Sequence, residues 1–170
     1  MRKLISNKNR GFTLIELMLF MGIFSILIVA LFQLFVAVFD VQLESQSTSA
    51  VARDSRFIIN KLTNDIKNTI SVSKPATAGA QLSTLAISDG VTTYTYSLTN
   101  GYLTLNNSTL GTTDQLNSVN TTVSSLNFLR LSDTKSQNTN TITVSFTLVS
   151  NTVKRSGAVS EVFTFTVGTR

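Results

Sequence analysis

Residues 12–39 form a run of 28 side chains in which Glu16 is the only charge and Thr13, Ser25 and Gln33 are the only other clearly polar groups. Roughly 20 apolar residues in a helix suffice to cross the hydrocarbon core of a bilayer, so this run exceeds the requirement. A helix that is apolar on every side has two homes, the interior of a large protein or a membrane. A chain of 170 residues is too small to wrap a helix of that length and still form anything else, so the run reads as a transmembrane segment.

Charge is distributed to match. The formal net charge is +5, and Arg2, Lys3, Lys8 and Arg10 supply four of those charges ahead of the apolar run, which leaves +1 for everything after it. Basic residues flanking a first span stay on the cytoplasmic side, so the N-terminus is expected inside and the rest of the chain outside. The basic balance therefore reports on insertion and not on an acidic or nucleic-acid partner. Cysteine, histidine and tryptophan are absent, so an exported domain of this chain has no disulfides to staple it.

The run is not an ordinary secretory signal. It is too long, and no small-x-small cleavage site follows it. The small residue comes before it, at Gly11, which makes Gly11–Phe12 the candidate processing bond. The octapeptide Arg10-Gly11-Phe12-Thr13-Leu14-Ile15-Glu16-Leu17 resembles the class III leader of type IV prepilins and pseudopilins. The resemblance implies that a prepilin peptidase cuts after Gly11 and that the new N-terminal Phe12 is N-methylated. It also implies that Glu16, the fifth residue of the mature chain, pairs with the Phe12 amine of a neighbouring subunit during filament assembly. The cost of the charge is compatible with such a role: an ionised carboxylate inside a span costs about 2.5–3.5 kcal/mol on insertion scales and needs a partner. The helix N-terminus also favours an anion in its first turn.

A second helical signal follows the span. Ile58, Ile59, Leu62, Ile66 and Ile70 recur at three and four residues, with Lys61, Asn64, Lys67 and Asn68 mostly on the other face. The polar stretch 44–49 between the two signals consists of mediocre helix formers, where a kink is acceptable. The expectation is one helix from residue 12 to about 72, stopped by Pro75, the only proline. The rest alternates with period two. Tyr94, Tyr96 and Leu98 oppose Thr93, Thr95 and Ser97, then Asn100-Gly101 precedes Leu103 and Leu105, which predicts a type I′ hairpin. Further strands are predicted at 82–88, 122–131, 141–149 and 158–168, the last two joined by polar residues 150–157. The fold class is α+β, with one antiparallel sheet covering the helical stripe. The domains read as 1–11 leader (removed), 12–39 transmembrane and assembly helix, 40–72 amphipathic continuation, and 73–170 antiparallel β-sheet ectodomain.

A long N-terminal helix packed by a small antiparallel sheet is also the pilin architecture. Leu62-Thr63-Asn64-Asp65-Ile66-Lys67 and Tyr94-Thr95-Tyr96-Ser97-Leu98-Thr99-Asn100-Gly101-Tyr102-Leu103 make the ectodomain most similar to W-type minor pilins and J-type minor pseudopilins. Many major subunits carry a proline within the apolar helix and some a C-terminal disulfide; this chain has neither. Glu16 argues against the K-type tip pseudopilin, which typically lacks that acid. The partners implied are the prepilin peptidase, other pilin or pseudopilin subunits, the inner-membrane assembly platform, and membrane lipid before extraction. The alternative is a signal-anchored single-pass surface or adhesion protein that never assembles.

No catalytic residue, cofactor site or metal site is expected. Without His or Cys the common nucleophile, base and ligand sets have no members. Asp89, Asp114, Asp133 and Glu161 lack two-carboxylate or calcium-loop spacing, and Asp89-Gly90 reads as a turn. Arg130, Lys135, Lys154 and Arg155 are the residues that would hold phosphate on a nucleic-acid-binding tip. With +1 net charge beyond the leader they read instead as solvated surface, and nucleic acid is not an expected partner. Tyr94, Tyr96 and Tyr102 read as sheet packing.

Overall fold

The computed structural model describes residues 12–132, 140–154 and 157–169. The chain divides into two compact units, Met1–Val41 and Gln42–Arg170, and helix α1 (Leu14–Lys67) contributes to both.

In the first unit α1 presents its apolar side chains outward all round. Its most apolar window has mean hydropathy 2.6 and no buried residue, as expected of a segment whose solvent is lipid. The polar Ser25 is accommodated by returning its hydroxyl to the Met21 carbonyl one turn back, at 2.7 Å. Rings pair at i and i+4, Phe20 with Phe24 and Phe35 with Phe39, at 5.9 and 4.5 Å between centroids.

In the second unit α1 becomes one-sided. Val51, Asp54, Ile58, Leu62 and Ile66 are buried at intervals of three and four residues, with Ser55 beside Asp54, which is the stripe expected from the sequence, begun a turn or two earlier. Backbone hydrogen bonding remains helical through residues 44–49. The helix ends at Lys67, five residues short of the expected stop. Ile70, expected on the stripe, is 71% exposed because its N–H leaves the helix and donates to the Ser88 carbonyl at 2.9 Å. Pro75 therefore does not end the helix. It follows β1 (Ser71–Lys74), a strand the sequence reading lacked, and is joined to it by a cis peptide bond.

The other strands are β2 (Gln81–Leu82), β3 (Leu85–Ser88), β4 (Thr93–Thr99), β5 (Tyr102–Asn107), β6 (Thr112–Gln115), β7 (Thr121–Ser132), β8 (Asn140–Lys154) and β9 (Gly157–Gly168). They form two antiparallel sheets, not one. The first has the order β1-β3-β4-β5-β6 and the second β2-β7-β8-β9. The expected strand 82–88 is divided between them: Leu82 pairs with Phe128 of β7, whereas Leu85 pairs with Tyr96 of β4. Leu85, Ala86 and Ile87 are all buried, so β3 is a central strand covered on both faces and carries no alternation to mark its limits.

The predicted hairpin is present. Asn100 (φ 51°) and Gly101 (φ 80°) both lie at positive φ and join Thr99 to Tyr102, as a type I′ turn requires. β8 and β9 also pair, and they extend into the expected loop as far as Lys154 and Gly157, past an irregularity between Val149 and Val153. Short β6, Thr-Thr-Asp-Gln with every residue exposed, had no periodic signal. Both sheets and the helical stripe close on one core of Val51, Ile58, Leu62, Tyr96, Phe128 and Phe146, among others. Each large side chain fully buried there contributes about 1.5–3 kcal/mol.

Candidate functional site

The residues singled out by sequence are Gly11, Phe12 and Glu16. Gly11 lies outside the described residues. Phe12 is 87% exposed, immediately before the helix. Glu16 stands in the first turn of α1, where its carboxylate is engaged within its own chain. The backbone N–H of Thr13 donates to Glu16 Oε2 at 3.0 Å, and the Thr13 hydroxyl donates to the same oxygen at 2.9 Å. In return the Glu16 N–H lies 3.3 Å from Thr13 Oγ1. This is a reciprocal capping box, which satisfies N–H groups that the helix start leaves unpaired. The arrangement was readable in the sequence as a hydroxyl residue followed three positions later by Glu ahead of an apolar run.

Phe12, Glu16, Leu17 and Phe20 line an apolar groove along this turn. A carboxylate beside exposed aromatic and aliphatic side chains can accept an ammonium group presented at that surface, because a low-dielectric setting strengthens the attraction. Oε1 has no hydrogen bond among the described residues.

The remaining candidates do not assemble into a second site. Arg130 spends its guanidinium on structure. Nη1 donates to the carbonyls of Val72, Pro75 and Ala76 at 3.2, 3.0 and 2.9 Å, and Nε and Nη2 donate to Asn140 Oδ1 at 3.1 and 2.7 Å. Lys154 is paired with Glu44 at 2.5 Å. Arg130 is opposite Ile142 in the ladder, and Lys154 is twelve residues further along β8, about 40 Å away at strand rise. The two cations therefore cannot hold one phosphate. Lys135 and Arg155 lie outside the described residues, as does Asp133.

Asp89 makes the expected turn. Its Oδ1 accepts from the N–H groups of Thr92 and Val91 at 2.7 and 3.0 Å, and these bonds, Thr92's first, hold its pKa below the ordinary carboxylate value. Tyr96 is buried and its hydroxyl donates to the Asp65 carboxylate, while Tyr94 is partly buried against the core. Asp114 lies on β6 and Glu161 on β9. No three His, Cys, Asp or Glu side chains converge among the described residues.

A family model described as the prokaryotic N-terminal methylation motif matches residues 6–32. No curated protein and no solved structure matches the chain. The chain carries a type IV prepilin-like class III leader on an apolar helix suited to membrane anchoring. With the helix and antiparallel sheets described above, the chain is similar to type IV pilins and pseudopilins in its N-terminal motif and in its α+β architecture.

Proposed function

We propose that the chain is a minor pilin or pseudopilin, a structural subunit of a type IV pilus or of a related pseudopilus of type II secretion or competence. In this reading the basic cluster before Gly11 keeps the N-terminus cytoplasmic and the domain after the span outside. A prepilin peptidase cuts Gly11–Phe12 and the Phe12 amine is methylated. The subunit waits in the membrane as a single-pass protein until the assembly platform extracts it, and its apolar helix then joins those of other subunits. Glu16 neutralises the amine created by the cut, on a neighbouring subunit.

The observation that carries this reading is the methylation motif at residues 6–32. It is supported by Glu16, the one acid of residues 12–39, which stands in the first turn of α1 four residues after Phe12, whose amine the proposed cut would free. The test is intact mass and N-terminal sequencing of the protein purified from its native membrane. The expected result is a chain beginning at N-methylated Phe12. A chain still beginning at Met1, in cells whose peptidase is active, would overturn the reading and leave a signal-anchored surface domain.

A further inference from the structure

Sheets expose backbone donors and acceptors at their edges, and folded proteins blunt those edges by shortness, charge, proline or irregularity. Three of the four edges here follow that rule. β2 offers two residues, β6 is short and wholly polar, and β1 has four residues with a register shift between Val72 and Lys74 just ahead of Pro75. β9 follows it only in carrying one charge, Glu161. It has twelve residues, contains no Lys, Arg or Pro, and among the described residues pairs with β8 alone. Its register is unbroken from Ser160 opposite Val149 to Gly168 opposite Thr141. About half of its N–H and C=O groups therefore point away from any partner strand.

The core-face side chains along this edge are apolar apart from one and, short of buried Val167, incompletely covered, while Ser160, Thr164 and Thr166 share the outer face with Val162. Val162 on the outer face is 70% exposed. On the core face Phe163 and Phe165 lie against Phe146, at 5.3 and 6.5 Å between centroids, yet both remain partly exposed. One residue breaks the apolar row. Glu161 stands opposite buried Leu148, and so on the core face, but it is exposed and has no ion pair among the described residues. An acid in that position rejects strands that leave it unanswered and admits one that brings a cation.

We propose that the free edge of β9 is a docking strand. It accepts, by strand addition, an extended segment of a neighbouring filament subunit with alternating apolar side chains and a Lys or Arg that meets Glu161. The inference rests on the filament reading above. A second copy of β9 does not fit the description, because the strand has no cation to answer the partner's Glu161.

The test uses the full-length chain in its native membrane, with the photoreactive residue benzoylphenylalanine replacing Val162 and the cross-linked peptide mapped by mass spectrometry. The expected adduct is to an extended, apolar and basic segment of another protein bearing the same N-terminal motif, and Glu161→Lys lowers its yield at least tenfold. Circular dichroism of the detergent-solubilised Glu161→Lys chain is expected to match the parent, so that lost yield reports lost docking. The proposal is overturned by an absent adduct, an adduct only to lipid, to a second copy of this chain or to a protein without the motif, or a yield indifferent to Glu161→Lys. The N-terminus is read from the same sample. A chain beginning at Phe12 without the adduct sinks the docking strand alone, whereas an uncut chain sinks the filament reading as well.

Discussion

At the scale of single residues, two buried polar groups hold the second unit together through α1. Asp54 Oδ2 accepts from the Ser118 N–H, the Ser118 hydroxyl and the Thr121 hydroxyl at 2.9, 2.7 and 2.5 Å. One carboxylate thus fastens the chain entering β7 to the helix. Hydrogen bonds to a charged group contribute about 1.5–3 kcal/mol, and buried donors left without a partner cost more. Asp54→Ala is expected to lower unfolding free energy by about 3 kcal/mol in denaturant titration of the detergent-solubilised chain; a change within error would show that water replaces the carboxylate. Tyr96 is the second group. Burial, then the hydrogen bond to Asp65 and its charge, raise the phenol's pKa well above the ordinary 10.0. The folded state keeps a proton that the unfolded chain releases, so the stabilisation is complete below about pH 10 and is lost as pH rises from there towards the folded-state value. Between pH 10 and 11 the parent is expected to lose about 1 kcal/mol more than Tyr96→Phe does, because the unfolded phenol is only half ionised at the start of that window. Parallel pH profiles for the two chains would refute this.

At the scale of elements, the β4–β5 turn fixes more than a hairpin. The Gly101 carbonyl accepts the Val123 N–H at 2.8 Å, and a Cβ built on Gly101 would lie 2.6 Å from Thr122 Cγ2. Thr122 is not free to yield, because its hydroxyl donates to Asn151 at 2.7 Å. Buried Asn117 adds a second tie between the sheets, accepting from the Leu103 N–H at 2.8 Å and donating to the Thr121 carbonyl at 2.7 Å. Gly101→Ala combines a positive φ with a close approach and is expected to destabilise by about 2 kcal/mol in the same titration. Gly79→Ala is a useful comparison, since that glycine shares the positive φ but has open space around it; equal losses at both sites would assign the whole effect to backbone conformation.

At the scale of the whole molecule, the two units require different solvents. The second buries a mixed core against two sheets. The first exposes Leu, Ile, Phe, Met and Val side chains all round the helix, with a mean hydropathy of 2.6 in its most apolar window. Water does not tolerate such a surface, whereas a bilayer core matches it. The full-length chain is expected to remain in the membrane pellet after an alkaline carbonate wash and to be released by detergent. Recovery in the carbonate supernatant would show that the apolar helix is covered by protein.

The sequence by itself determined whatever depends on a residue and its near neighbours. The apolar run of residues 12–39, the buried face of Ile58, Leu62 and Ile66, the Asn100-Gly101 turn and the alternation of Ile142, Val144, Phe146 and Leu148 all report the environment of their own side chains. Local spacing encodes that environment directly. The tertiary structure decided where backbone and charge find distant partners. It ended α1 at Lys67, because the Ile70 N–H is taken by Ser88, and it divided residues 82–88 between two sheets. It also used Arg130 on the carbonyls around Pro75 and Lys154 on Glu44. Each of these outcomes is a competition between partners far apart along the chain, and the energy that settles it belongs to the pair, so no single stretch of residues contains it.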